Sequence, residues 1–260
     1  MNDQWAAASS YEAYMGRWSR ALAPAFVGWL DAPAGARWLD VGCGTGALTD
    51  AICDLARPAS VVGCDPSPEF IEFAKSQSHR AFASFAVAGA GELPSGGGYN
   101  CVVSMLALNF MPDPILAVKE MCALTTPPAT VAACVWDYAG GMTMLRRFWD
   151  AARTIDPRAE ALDEGVRFPL CQPGALEALF IEAGLRGVRC EPLEIETTFA
   201  NFDDYWQPFL GAAGPAPAFV ASLDDARRDA LRRVLEDTVR PDAGGEIRLP
   251  ARAWAVRASI

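Results

Sequence analysis

The stretch Trp38-Leu-Asp-Val-Gly-Cys-Gly-Thr-Gly46 decides the fold of this chain. Residues 38–41 are mostly apolar and predict the end of a buried strand, and glycines then alternate through 42–46. Apolar residues recur at helical spacing from Ala47 onward, which predicts a helix directly after the turn. Because glycine lacks a Cβ and tolerates positive φ, such a turn lets a ligand approach the backbone closely. The free N–H groups at the helix start favour negative or electron-rich ligand groups.

Two acidic residues narrow the kind of ligand that this turn suits. The glycine spacing alone also nearly fits the dinucleotide pattern G-x-G-x-x-G/A, so a nicotinamide cofactor stays an alternative, as does a turn without a ligand. Asp40 stands two residues before the first glycine, where a dinucleotide fold more often has an apolar residue. Residues 61–65, Val-Val-Gly-Cys-Asp, predict a second strand that ends in an acid. Asp65 is therefore placed to hold both hydroxyls of a ribose.

The motif Leu39-Asp-Val-Gly-Cys-Gly-Thr-Gly46, together with Gly63-Cys-Asp-Pro-Ser67, resembles the class I S-adenosylmethionine (SAM)-dependent methyltransferases of the small-molecule type. Within that family the chain resembles the ubiquinone/menaquinone-type and other small-molecule methyltransferases. The resemblance implies an α/β fold with a doubly wound, mostly parallel seven-stranded sheet, Rossmann-like, and a helical cap formed by C-terminal insertions. It rests on specific motifs over residues 36–136 and on the order of elements alone beyond them.

The resemblance also implies a set of cofactor-binding residues, with SAM as cofactor and S-adenosylhomocysteine as product. Asp65 is expected to hold the ribose, and Asp40 to reach the cofactor's ammonium group through water. Tyr14 or Arg17, in an aromatic N-terminal segment, is expected to meet its carboxylate. The complete expected set is Asp40, Gly42, Cys43, Gly44, Gly46, Asp65, Pro66, Ala90, Gly91, Ser104, Met105, Tyr14 and Arg17.

Residues 88–94, Ala-Gly-Ala-Gly-Glu-Leu-Pro, depart from the family pattern. Relatives often have Asp-Ala-Glu-x-Leu-Pro here, and the acid holds the adenine amino group. Gly89 stands at the position of that acid, so the carboxylate is missing. Backbone contacts from Ala90 and Gly91 survive the change, whereas the amino-group contact needs Glu92 or water as a replacement.

Composition excludes several classes of partner. The chain has 260 residues and a formal net charge of −10, without a basic run, which argues against nucleic acid or an anionic membrane as the main partner. Its eight cysteines form no C-x-x-C pair, and His79 is its single histidine, so we expect no metal. The scattered cysteines and the absence of a signal-peptide pattern predict a cytoplasmic protein that takes a small-molecule substrate, with no membrane insertion. Monomer and homodimer both remain open.

The organisation of the chain follows from the same element order. Residues 1–35 are expected to form an N-terminal helical lid, and residues 36–260 the methyltransferase core. Two insertions, near 138–171 and 199–245, interrupt the core and are expected to form the cap over the substrate. The N-terminal aromatic residues also suit a plain surface helix.

The methyl acceptor is not specified by any motif. We expect a nucleophilic N, C or O atom of a small, aromatic or partly apolar molecule. Candidates for contact with the acceptor or for proton transfer are Asn109, Asp137 and Tyr138. Two other classes stay open. A non-catalytic SAM- or nucleoside-binding module predicts binding without turnover, and an NAD-dependent oxidoreductase needs a hydride-transfer acid or base that no motif supplies.

Overall fold

A computed structural model describes residues 11–94, 96–211 and 214–260. The chain divides into two compact units. The sheet unit comprises residues 16–135, 170–193 and 254–260, and the insertion unit comprises residues 1–15, 136–169 and 194–253. The first ten residues of the predicted lid lie outside the described residues.

Seven strands form one sheet in the order β3-β2-β1-β4-β5-β7-β6. In chain order the strands are β1 (Arg37–Val41), β2 (Ser60–Asp65), β3 (Ala83–Val87), β4 (Tyr99–Met105), β5 (Thr125–Trp136), β6 (Arg189–Phe199) and β7 (Ile247–Ser259). The pairs among β1 to β5 are parallel. Strand β7 runs antiparallel to β5, since Ala129 and Ile260 exchange backbone hydrogen bonds of 3.1 and 2.8 Å. The doubly wound, mostly parallel seven-stranded sheet is thus confirmed.

The helices alternate with the strands through the sheet unit and then fill the insertions. In chain order they are α1 (Arg17–Leu30), α2 (Ala47–Leu55), α3 (Pro68–Gln77), α4 (Pro114–Ala123), α5 (Thr143–Ile155), α6 (Glu164–Arg167), α7 (Pro173–Glu182), α8 (Phe202–Trp206), α9 (Pro215–Ala221) and α10 (Asp225–Thr238). A single π-helical turn, Glu12–Gly16, precedes α1. None of the helices in the described part of the chain is long and apolar enough to cross a membrane.

Local sequence explains where the helices around the glycine turn begin. The Ser67 hydroxyl accepts the Phe70 N–H at the start of α3, and the Asp113 carboxylate accepts the Leu116 N–H at the start of α4. A proline follows each of these residues, where its fixed φ suits the first helical turn. Both helix starts lie next to the carboxyl ends of strands, so the caps fix the direction in which each chain segment leaves the sheet.

One boundary predicted from the sequence is wrong. Paired prolines after an apolar helix usually mark its end, so Pro127 and Pro128 predict that the helix after β4 runs up to them, but α4 already ends at Ala123. The two prolines lie instead in the exposed first part of β5, where the register with β4 shifts. A proline is tolerated there because the irregular pairing does not require its missing N–H.

The aromatic residues of the insertion unit pack mainly against one another. Phe148 stacks on Phe209 with ring centroids 4.4 Å apart, and Tyr205 lies 5.4 Å from Phe209. The Tyr205 hydroxyl donates to the Met144 carbonyl at 3.0 Å. These rings are buried and form the core of the unit, so they carry no argument for an aromatic substrate.

Candidate functional site

The glycine turn, residues 42–46, leaves β1 in the conformation that the sequence predicts. Gly42, Gly44 and Gly46 have φ values of 75°, 53° and 90°, in the left-handed region that favours glycine. The N–H groups of Gly42 and Cys43 both donate to the Cys64 carbonyl, at 2.8 and 2.9 Å. The turn is therefore fastened to the end of β2.

The two first glycines of the turn meet different surroundings. A Cβ on Gly42 would lie 2.4 Å from the Ala107 Cβ, so the segment after β4 packs directly on this glycine. A Cβ on Gly44 would have no described residue within 4 Å besides its chain neighbours. The backbone at Gly44 is thus open to a ligand, whereas Gly42 is needed for internal packing.

Asp65 links the end of β2 to the glycine turn. Its side-chain oxygens accept the N–H groups of Gly44 and Ser67, at 3.1 and 2.9 Å. The residue is 8% exposed, and burial raises the pKa of its carboxyl while the two N–H donors act against that rise. A carboxylate has about four lone-pair positions, so two donors leave acceptor capacity for a ligand's hydroxyls. The structure places Asp65 beside the glycines, as expected.

Asp40 lies fully buried beneath the turn. Its Oδ2 accepts the Thr49 hydroxyl at 2.8 Å, and its Oδ1 has no hydrogen-bond partner among the described residues. Burial, and to a smaller extent the charge of Asp65, raises the pKa of this carboxyl to about 7. An orphaned buried oxygen is costly, which makes Oδ1 an acceptor that is ready for a donor from a ligand or a bound water.

Asp40 is expected to make the stability of the free protein depend on pH. The pKa of its carboxyl is about 7 in the folded protein and 3.8 ordinarily, so the folded state holds the proton more tightly. Its contribution to folding is complete below pH 3.8 and is lost as the pH rises through about 7. The free energy of unfolding in urea should therefore fall between about pH 4 and about pH 7 and then level off, and it should fall less in Asp40→Asn, which stays neutral. An equal fall in both proteins would contradict this role of Asp40.

The end of β4 and the segment after it carry two residues predicted to bind the cofactor, Ser104 and Met105, and one acceptor candidate, Asn109. Ser104 is fully buried, and its Oγ has no partner within the described ranges; the same holds for Nδ2 of Asn109. Leu106 between them has a φ of 61°, an uncommon conformation for a bulky residue, held by its N–H bond to the Cys134 carbonyl at 2.8 Å. Met105 is buried at the end of β4. Strained backbone and unsatisfied polar groups are features of binding sites.

The loop formed by residues 88–94 follows β3 and lies against the end of β2. The Ala88 N–H donates to the Asp65 carbonyl at 3.1 Å, and a Cβ on Gly89 would lie 3.3 Å from the Pro66 Cβ. The Gly91 N–H donates to Glu120 Oε2 on α4 at 2.7 Å. Sequence reasoning missed Glu120, because a single glutamate on a helix gives no signal of the loop that it contacts.

The remaining predicted residues have other surroundings. Asp137 accepts the Gly140 N–H and two N–H groups of Arg252, at 2.7 to 2.9 Å, which favours a structural role over proton transfer. Tyr14 lies 5.8 Å from Phe209, within the insertion unit, and Tyr138 belongs to the same unit. The guanidinium of Arg17 lies 4.2 Å above the ring of its neighbour Trp18. A role for these residues in cofactor or acceptor binding stays a prediction.

Glu164 is a buried residue that no sequence pattern indicated as functional. It accepts the indole N–H of Trp149, and burial raises the pKa of its carboxyl to about 7. Next to it, Asp163 forms ion pairs with Arg146 and Arg153. Both acids lie in the insertion unit. Asp163 caps the short helix α6, which Glu164 begins, and this context contains no motif that could have identified them.

The described residues provide neither a cluster of metal ligands nor a reactive cysteine thiolate. No group of three or more His, Cys, Asp and Glu side chains there could hold a metal ion. Burial raises the pKa of the Cys64 thiol to about 12 and that of Cys43 well above its usual value, so neither is a thiolate at neutral pH. His79 follows α3 and is exposed.

Comparisons with known proteins agree with this geometry. A family model described as a methyltransferase domain matches residues 11–189. Ubiquinone biosynthesis O-methyltransferase of Xanthomonas axonopodis pv. citri is 32% identical over 99 residues, 36% of this chain and 41% of that protein. The chain thus matches about two fifths of the length of this curated relative. Trans-aconitate 2-methyltransferase of Streptomyces avermitilis is 27% identical over 229 residues, 79% of this chain and 81% of that protein.

Solved structures share the fold at low sequence identity. A putative methyltransferase from an antibiotic biosynthesis pathway of Anabaena variabilis superposes with a TM-score of 0.62 at 16% identity, covering 93% of this chain and 99% of that chain. Phosphoethanolamine N-methyltransferase 2 of Haemonchus contortus, solved with SAM, has a TM-score of 0.56 at 15% identity and covers 97% of this chain and 56% of that chain.

Proposed function

This chain belongs to the methyltransferase domain family, and on that premise we propose that it transfers the methyl group of SAM to a nucleophilic N, C or O atom of a small molecule. The observation that carries the proposal is the glycine turn with Asp65 bonded to Gly44 at 3.1 Å. One end of the turn is open backbone, and the adjacent acid keeps free lone pairs. This arrangement suits a nucleoside that carries a charged amino-acid tail.

The glycine turn and the two acids beside it each fit one part of SAM. Asp65 holds the ribose hydroxyls, because a buried carboxylate is a strong acceptor for a diol. The open backbone at Gly44 admits the methionine portion. Asp40 Oδ1, orphaned and buried, meets the ammonium group directly or through water and is ionised by it. The cofactor is therefore SAM, and the product is S-adenosylhomocysteine. The bound SAM of the Haemonchus contortus neighbour supports this choice.

The chemistry comes from the sulfonium of SAM, which supplies an activated methyl group. The protein contributes binding and alignment, which together lower the barrier by several kcal/mol when the two reacting atoms are held in line. Met105 and Leu106 bring apolar groups, without cations, to the end of β4, and such surroundings suit a positive charge that disappears in the transition state. Asn109 supplies a neutral amide to orient the acceptor.

Proton removal limits the choice of acceptor. The single histidine, His79, is exposed after α3, and Asp137 is already bonded to Arg252. A phenol that requires an imidazole base is therefore disfavoured. Acceptors that keep a free lone pair or an electron-rich carbon at neutral pH, such as weakly basic amines, carboxylates or activated carbons, suit the site better. The names of the two curated relatives point to different acceptors, so the acceptor is proposed only as a small molecule.

Transfer of a labelled methyl group from SAM tests the activity. Purified protein is incubated with methyl-labelled SAM and three acceptor panels, namely amines, carboxylic acids and phenols. We expect label in at least one panel of pre-ionised or nucleophilic acceptors, with release of S-adenosylhomocysteine. Binding of S-adenosylhomocysteine without transfer to any panel would instead favour the non-catalytic module. A rate of phenol methylation that rises with pH through an apparent pKa near 7 would reveal a general base that the proposal lacks.

A further inference from the structure

The Glu120 side chain joins α4 to the loop formed by residues 88–94. Its Oε2 accepts the Gly91 N–H at 2.7 Å. Its Oε1 accepts no hydrogen bond from the residues that the structure describes. Gly91 has a φ of 93°, so its backbone conformation depends on glycine and turns the N–H toward this carboxylate. A half-buried carboxylate with one free oxygen is thus fixed on the loop.

The strand order places this loop at the base end of a bound nucleoside. The glycine turn follows β1, Asp65 ends β2, and residues 88–94 follow β3, three adjacent strands whose carboxyl ends share one edge. A ligand that contacts the glycine turn and holds its ribose on Asp65 extends its base toward the end of β3. Pro66 and Gly89 lie together at that point.

The loop itself offers no acidic side chain at its start. An adenine presents a 6-amino group with two N–H donors, and its selective recognition needs an acceptor for them. Gly89 has no side chain, and a Cβ there would lie 3.3 Å from the Pro66 Cβ. Glu92 is exposed, and its carboxylate accepts no hydrogen bond within the described ranges. Of Glu92 and Glu120, only the carboxylate of Glu120 is already held against the loop, through its hydrogen bond from the Gly91 N–H.

We propose that Glu120 recognises the adenine of the cofactor. Its carboxylate accepts a hydrogen bond from the 6-amino group. This inference rests on the proposed function, since it requires a bound adenosyl ligand. The same carboxylate holds the Gly91 N–H, so loop position and base recognition depend on one side chain. A ligand with a 6-oxo group would place an acceptor against the carboxylate and be rejected.

The test is the ratio of two dissociation constants, one for S-adenosylhomocysteine and one for S-inosylhomocysteine, which carries a 6-oxo group. We expect wild-type protein to prefer the adenosyl ligand by about 10-fold or more, a factor typical of one hydrogen bond to a charged group. Glu120→Ala should reduce this preference to about 2-fold or less, and Glu120→Gln, which keeps an acceptor oxygen, should retain part of it. The matched control Glu92→Ala should keep the wild-type ratio.

The possible results distinguish adenine recognition by Glu120 from a purely structural role of Glu120 and from failure of the proposed function. If Glu120 only braces the loop, Glu120→Ala weakens both ligands by the same factor and leaves the ratio unchanged, which overturns the inference. Loss of the preference in Glu92→Ala with retention in Glu120→Ala overturns it as well. Failure of wild-type protein to bind either ligand, although folded by circular dichroism, would overturn the proposed function and this inference together.

Discussion

Asp65→Ala is expected to weaken the binding of S-adenosylhomocysteine by about 2 kcal/mol or more, about 30-fold. Two losses combine in this variant. The ribose hydroxyls lose a charged acceptor, and the Gly44 and Ser67 N–H groups lose the carboxylate that fixes the glycine turn beside the ligand. Isothermal titration calorimetry of the wild-type and variant proteins measures the difference directly.

A surface acid provides the control for Asp65. Asp54 forms an exposed ion pair with Arg80 at 2.7 Å and, among the described residues, makes no hydrogen bond to the glycine turn. Asp54→Ala should leave the affinity unchanged, because exposed pairs contribute about 0–1 kcal/mol to stability and nothing to the site. Equal affinities of Asp65→Ala and wild-type protein would remove Asp65 from the binding site.

Gly42→Ala should destabilise the fold by about 2–5 kcal/mol. The left-handed backbone at φ 75° costs a residue with a Cβ about 1–2 kcal/mol. The added Cβ would also lie 2.4 Å from the Ala107 Cβ, and such overpacking adds about 1–3 kcal/mol. Urea denaturation should show this loss, and the displaced segment after β4 should also lower affinity for S-adenosylhomocysteine.

Gly44→Ala is the matched comparison. Its φ of 53° is left-handed too, but open space surrounds its Cβ position, so we expect only the backbone cost of about 1–2 kcal/mol. Its affinity for S-adenosylhomocysteine should nevertheless fall strongly, because the new methyl group stands where the ligand approaches. A Gly44→Ala variant that binds like wild-type protein would show that the open backbone there is not the binding surface.

The fold could be predicted where local chemistry and the global arrangement agree. The apolar strand, the left-handed glycines and the helix after Gly46 all follow from residues 38–55, and the Ser67 hydroxyl that caps α3 is visible as a serine before a proline. The position of Asp65 beside the glycines follows from the parallel pairing of β1 with β2. Each of these features depends on residues close in sequence or on a strand order that the motif implies.

The rest depends on contacts between distant segments. Glu120 meets Gly91 across 29 positions, and Arg252 meets Asp137 across 115, so neither pairing leaves a local pattern. The position of Pro127 and Pro128 in β5 also escaped prediction, because the irregular pairing at the start of that strand is a tertiary property. Likewise, sequence alone does not tell whether the aromatic residues of the insertion unit face a ligand or one another, and the structure shows that they fill their own core.

The most direct test is calorimetric titration of the purified protein with S-adenosylhomocysteine, with NAD titrated in parallel. We expect micromolar binding of S-adenosylhomocysteine and no binding of NAD, because the buried Asp40 carboxylate suits the ammonium group of an amino-acid tail and opposes the negatively charged pyrophosphate of NAD. Binding of NAD, or of neither ligand by the folded protein, would contradict the assignment of the glycine turn to SAM.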